Sequence, residues 1–107
     1  MAATGTRDAV FDALADPTRR ALLSRVGELG GATATELARE LPVSRQAVSK
    51  HLSVLAAAGL AAPAREGREV RYVLTPAPLS EAVAWMAGVG AQWDSRLAAL
   101  QRRLAQT

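Results

Sequence analysis

A mainly α-helical fold with one small β-hairpin is the class this sequence predicts, on three observations. Apolar residues recur at helical spacing in four successive segments before Gly59. Between Leu60 and Leu74 the period falls to about two, and from Leu79 onward apolar residues return in steps of four and three. The 107 residues suit a single domain over 1–107. Half of them are hydrophobic and 21% charged, the balance of a chain that buries a core in water. No apolar run approaches the ~18 residues of a membrane span, and the opening MAATGTRDAV lacks the apolar core of a signal peptide. A cytoplasmic protein with no membrane partner is therefore expected.

The first helix is expected over 6–14, where Val10, Phe11 and Leu14 share a face, and it breaks at Asp16-Pro17. Asp16 can accept hydrogen bonds from the unpaired amides of a following helix, and Pro17 suits that helix's first turn. The second helix carries Leu22, Leu23, Val26 and Leu29 and ends at Gly30-Gly31. Thr33 or Thr35 caps a short third helix with Leu37, Ala38 and Leu41 inward, before Pro42 removes an amide donor. Ser44 caps a fourth, running to about Ala58, with Ala47, Val48, Leu52 and Leu55 on one face. Its other face holds Arg45, Gln46, Ser49, Lys50 and Ser53, and Gly59 closes it. Segments 60–65 and 69–74 then pair as a hairpin around Glu66-Gly67-Arg68. Val70, Tyr72 and Leu74 lie on one face of its second arm and Arg71 and Val73 on the other, while Pro63 confines the first arm to a sheet edge. Past Pro76 and Pro78, the last helix over 78–106 presents Leu79, Val83, Met86, Gly90, Trp93, Leu97, Leu100 and Leu104. At ~1.5 Å per residue it runs roughly 40 Å, farther than one small domain covers, so its stripe calls for a second chain.

Composition removes most enzymatic chemistry. There is no cysteine and one histidine, His51, so thiolate metal sites, disulfides and paired imidazoles are excluded. No glycine-rich phosphate loop and no Ser-His-Asp set can be assembled, and neither an enzyme nor a cofactor is expected. The formal charge of +3 is unevenly placed. Residues 1–40 carry Arg7, Arg19, Arg20, Arg25 and Arg39 against Asp8, Asp12, Asp16, Glu28, Glu36 and Glu40. From Leu41 to Thr75, Arg45, Lys50, Arg65, Arg68 and Arg71 face only Glu66 and Glu69, an electrostatic footprint for an anionic partner.

Helix, tight turn, helix and basic hairpin, in that order, form the layout of a winged helix-turn-helix. Four blocks carry a family resemblance: Phe11-Asp12-Ala13-Leu14-Ala15-Asp16-Pro17-Thr18-Arg19; Glu36-Leu37-Ala38; 43–55, VSRQAVSKHLSVL; and Gly59-Leu60 with the hairpin 65–72, REGREVRY. At these spacings the sequence resembles the ArsR/SmtB family of small bacterial transcriptional regulators. The resemblance implies a helix-turn-helix over 34–58, a wing over 60–74, and dimerisation helices over 6–14 and 78–106. It implies a homodimeric, autoregulating repressor bound to double-stranded DNA at an inverted-repeat operator.

The residue chemistry fits that implication. Arg45 suits guanine and Gln46 adenine in the major groove, and Ser49 and Lys50 reach a base edge or phosphate one turn on. Ser44 offers its hydroxyl and the positive end of a helix to a phosphate. The DNA-binding set expected is Ser44, Arg45, Gln46, Ser49, Lys50, His51 and Ser53, with Arg65, Arg68 and Arg71 in the wing. The dimer set expected is Val10, Phe11, Leu14, Leu79, Val83, Met86, Trp93, Leu97, Leu100 and Leu104. Arg19 and Arg20 either touch the DNA backbone or decorate the second helix.

Metal-sensing members of the family carry a Cys-X-Cys type motif in the third helix, where this chain has Thr35-Glu36-Leu37-Ala38-Arg39-Glu40-Leu41, and the last helix offers only Glu81 and Asp94, without histidine. No metal site is expected, and the resemblance is to a metal-independent branch. A small-molecule effector of unknown identity near Trp85 and Trp93 remains open. The alternative of another class is a protein-interaction module that uses the long apolar stripe and binds no DNA specifically.

Overall fold

The computed structural model describes residues 2–105; residues 1, 106 and 107, including Gln106 at the expected end of the last helix, lie outside the described part. The elements in order are α1 (Ala2–Leu14), α2 (Pro17–Leu29), β1 (Ala32–Thr33), α3 (Ala34–Ala38), α4 (Arg45–Ala57), β2 (Ala61–Glu66), β3 (Glu69–Leu74) and α5 (Pro76–Ala105). Helix α1 begins before Thr6, because residues 2–5 lack an apolar period yet hold the good helix formers Ala2 and Ala3. Helix α5 begins at Pro76 and takes both prolines into its first turn, where the backbone amides have no intrahelical acceptor to lose.

The joint between α1 and α2 is built from both sides. The Arg19 amide donates to the Asp16 carboxylate at 2.9 Å, with Pro17 at the start of α2. In return Arg19 donates from Nε to the Ala13 carbonyl at 2.7 Å, and Arg20 donates from Nη1 to the Leu14 carbonyl at 2.7 Å. The last carbonyls of α1, unpaired within their own helix, thus find cationic donors, and both arginines work inside the fold.

Between Thr33 and Thr35, the capping box decides for Thr33: the Glu36 amide donates to its Oγ1 at 3.1 Å, and its own amide donates to the Glu36 carboxylate at 2.9 Å. Thr33 and the residue before it form β1, which the sequence did not reveal. It extends the hairpin to a three-stranded antiparallel sheet of order β1-β3-β2, with Ala32 opposite Tyr72 and Ala61 opposite Leu74. Gly31 permits this approach: it sits at φ 134°, and a Cβ there would meet Val73 at 3.1 Å. Strand β2, with Pro63, is at the sheet edge as expected.

The core joins Leu22 and Val26 of α2, Leu37 of α3 and Val48, Leu52 and Leu55 of α4, all fully buried, to Leu60 at the entry to the sheet. Val10 belongs to this core as well. At 0% exposure it has no surface to give a partner, which corrects its expected place in the dimer set. Only Ala82 of α5 is buried among the described residues, and the molecule measures 70 × 32 × 20 Å because that helix runs beyond the core.

Candidate nucleic-acid interface

Helix α4 is locked in place by its apolar face and begins at Ser44, whose Oγ accepts from the Ala47 amide at 3.1 Å. The amides of Arg45 and Gln46, in the first turn, have no intrahelical acceptor and lie at the positive end of a 13-residue helix, where an anion is favoured. Ser44, Arg45, Gln46, Lys50 and Ser53 are exposed, and Ser49 and His51 are half-buried. The Ser53 hydroxyl donates to the Ser49 carbonyl at 3.0 Å, so its proton is already used within the helix. His51 lies on the side of α4 that approaches the start of α2. The Asp16 carboxyl there is held below the usual carboxylate range, first by the Arg19 amide, against a rise from burial, and then by the charges of Arg19 and His51.

Two polar links tie α3 to the hairpin, and the first of them reaches on to α4. In the first, Arg45 donates from Nε to Thr35 Oγ1 at 2.9 Å, and Thr35 donates to a Glu69 carboxylate oxygen at 2.7 Å. Arg45 is thereby oriented with its two terminal amino groups uncommitted, the groups that a guanine edge would take. In the second, Arg71 is ion-paired to Glu66 at 2.8 Å and to Glu36 at 3.3 Å, and it donates to the Gly31 carbonyl at 3.3 Å. Hydrogen bonds from Arg71 hold the Glu66 carboxyl below its ordinary range; for Glu36 the Thr33 amide acts first and Arg71 second.

The three wing arginines consequently separate. Arg65 is cross-strand from Val70, and Ala64 from Arg71, so Arg65 and Arg71 lie on opposite faces of the hairpin. Val70 and Tyr72, on the face of Arg65, line a concavity of about 120 Å³ together with Ala34, Arg45, Ser49, Arg68 and Glu69. Arg68 and Arg65 are exposed, and Arg68 follows Gly67, whose φ of 64° makes the tight turn. Arg71 faces away, with its charge met by two carboxylates. Sequence spacing could mark Arg71 as basic but not show which carboxylates fold against it; the T-x-x-E pattern from Thr33 to Glu36 was the available clue.

The same fold occurs in solved structures of known regulators. A model of a helix-turn-helix domain matches residues 14–63. An ArsR-like transcriptional regulator from Rhodococcus sp. RHA1 superposes with a TM-score of 0.81 at 40% identity, covering 95% of each chain. The chain belongs to the ArsR family. The transcriptional regulator Rv2034 of Mycobacterium tuberculosis is 47% identical to this family member over 73 residues, 68% of this chain and 67% of its own. The transcriptional repressor SdpR of Bacillus subtilis is 34% identical over 77 residues, 72% and 84% of the two chains. This ArsR-family protein is a DNA-binding transcriptional regulator with a winged helix-turn-helix fold, and the interaction-module alternative is set aside.

Elsewhere on this ArsR-family chain, Phe11, Leu14 and Leu79 are half-buried against the core, while Val83, Met86, Trp93, Leu97, Leu100 and Leu104 are each about half exposed or more. Trp85, left out of the expected dimer set, packs its ring 5.7 Å from that of Phe11 under the Arg7 guanidinium. Trp93 lies under Arg96. Among the described residues no group of three His, Cys, Asp or Glu could hold a metal ion, and no helix is long and apolar enough to cross a membrane.

Proposed function

We propose that this ArsR-family regulator is a homodimeric, autoregulating repressor, one domain over 1–107, that reads an inverted-repeat operator. The observation that carries the reading is the exposed face of α4, opening on capped Ser44 and flanked by Arg65 and Arg68. In this reading α4 enters the major groove, where Arg45, Gln46, Ser49 and Lys50 meet base edges. Ser44, with the helix start, Arg65 and Arg68 take phosphates and set the register. His51 adds a backbone contact from the flank of α4, and Ser53 joins it when its hydroxyl proton turns from the Ser49 carbonyl to a phosphate. Arg71 acts as a brace of the wing, its two carboxylate partners having cancelled its pull on phosphate.

The dimer forms through α1 and the exposed stripe of α5, in which Val83, Met86, Trp93, Leu97 and Leu100 have no core of their own to cover. Two-fold symmetry then puts two recognition helices roughly 34 Å apart, one turn of B-DNA. The test is a salt titration of binding to the chain's own promoter and to random DNA, with mass measured alongside. Preferred binding of the promoter by a dimer, falling steeply as salt rises, supports the proposal. Equal weak binding to both DNAs, or a monomer bound to each, overturns it.

A further inference from the structure

We propose that the C-terminal turns of α5 in one copy of this chain seat in an apolar groove on a second copy, between α2, the end of β3 and the start of α5. The proposal rests on the homodimer reading and specifies where its two tails go. The groove opens about 550 Å³ and is lined by Leu23, Ser24, Gly27, Glu28, Leu74 and Leu79. Gly27 shapes its floor, since a Cβ there would stand 3.3 Å from a Leu74 methyl. Leu74 is 36% exposed, so an apolar wall is left open at the surface.

Helix geometry selects the occupant. Helix α5 has 30 residues, about 45 Å at 1.5 Å each, and its own core reaches only as far as Ala82 in burying it. Leu97 and Leu100, 54% and 51% exposed, project away from their own domain on the same stripe as Leu79. When two copies of α5 pair antiparallel about a two-fold axis, Leu100 of one meets Leu79 of the other if the axis crosses midway, between Val89 and Gly90. That is where the helix carries Gly88 and Gly90, at each of which an added Cβ would meet nothing within 4 Å. Interior glycines weaken a helix relative to alanine, and a crossing helix that approaches closely is the gain that offsets this. Charge agrees with the fit: exposed Glu28 is on the groove rim, and Arg102 and Arg103 are in the last turn of α5.

The absence of native cysteine makes a cross-link decisive. In the double variant Ser24→Cys with Leu100→Cys, both positions are exposed, so folding is spared and circular dichroism checks it. Mild oxidation is expected to give a covalent dimer in most of the protein, and each single variant is expected to stay uncross-linked. A dimer by mass that does not cross-link overturns the groove while leaving the homodimer standing. A monomer at every concentration overturns both. A disulfide closed within one chain, or a dimer linked by Leu100→Cys alone, overturns the antiparallel placement. Independently, Leu100→Lys is expected to raise the midpoint of dimer dissociation at least about tenfold, and an unchanged midpoint counts against the groove.

Discussion

At the scale of single residues, the wing shows that like side chains at neighbouring positions do different work. Arg68 is exposed at the turn, whereas Arg71 is held by Glu66 and Glu36. Arg68→Ala is expected to weaken binding to every DNA sequence and to flatten the slope of log affinity against log salt by about one phosphate contact. Arg71→Ala is expected to weaken binding with that slope preserved, and a flattened slope there makes Arg71 a phosphate ligand after all. Gln46→Ala is expected to cost about 1–3 kcal/mol on the operator and to relax preference at one base pair, read by affinity across single-base operator variants. Uniform weakening across the variants removes Gln46 from base reading. The Arg71 brace also predicts a pH dependence. Glu36 and Glu66 titrate below the ordinary carboxylate range when folded, so their stabilisation is complete above that range and is lost as pH falls through their lowered values. Denaturant titrations of the protein and of Glu66→Gln should therefore differ by a constant amount at neutral pH and converge in acid.

At the scale of elements, caps and breakers were legible and weak pairings were not. Asp16-Pro17 and Ser44 start α2 and α4 as their chemistry requires, because an N-cap acts within three residues and leaves its mark in the local sequence. Strand β1 is two residues long and follows two glycines, with no period to read; it exists because β3 lies beside it. Thr33 belongs to both settings, as the last residue of β1 and the cap of α3. Thr33→Ala, at a site only 2% exposed, is expected to cost about 1 kcal/mol in denaturant unfolding, more if the Glu36 contact loosens with it. Replacing the fully buried Leu52 of α4, Leu52→Ala, should cost about 2–5 kcal/mol, and a loss below about 1 would mean that the helix is not anchored as described.

At the scale of the whole molecule, the footprint and the assembly carry the remaining expectation. A dimer read through two α4 helices should protect two half-sites centred one helical turn apart, and inserting five base pairs between them should turn the sites to opposite faces of the duplex and abolish tight binding. Protection insensitive to that insertion would leave each copy binding alone. The apolar stripe of α5 was readable from spacing, since steps of four and three repeat over seven turns of one helix. Val10 was not separable from it by spacing, since a helix face that meets its own core has the same period as one that meets a partner.

The amino-acid sequence by itself determined the order of the helices and the hairpin, the apolar faces, the basic middle and the family, because each is written in neighbours a few residues apart. Only the tertiary structure decided which charges find partners within the fold. Arg19 and Arg20 donate to carbonyls at the end of α1, Arg71 pairs with Glu36 and Glu66, and Arg45 is turned by Thr35, through contacts that span up to 35 residues. An unpaired charge and a paired one have the same letter in a sequence. What distinguishes them is which partners the fold brings within hydrogen-bonding distance.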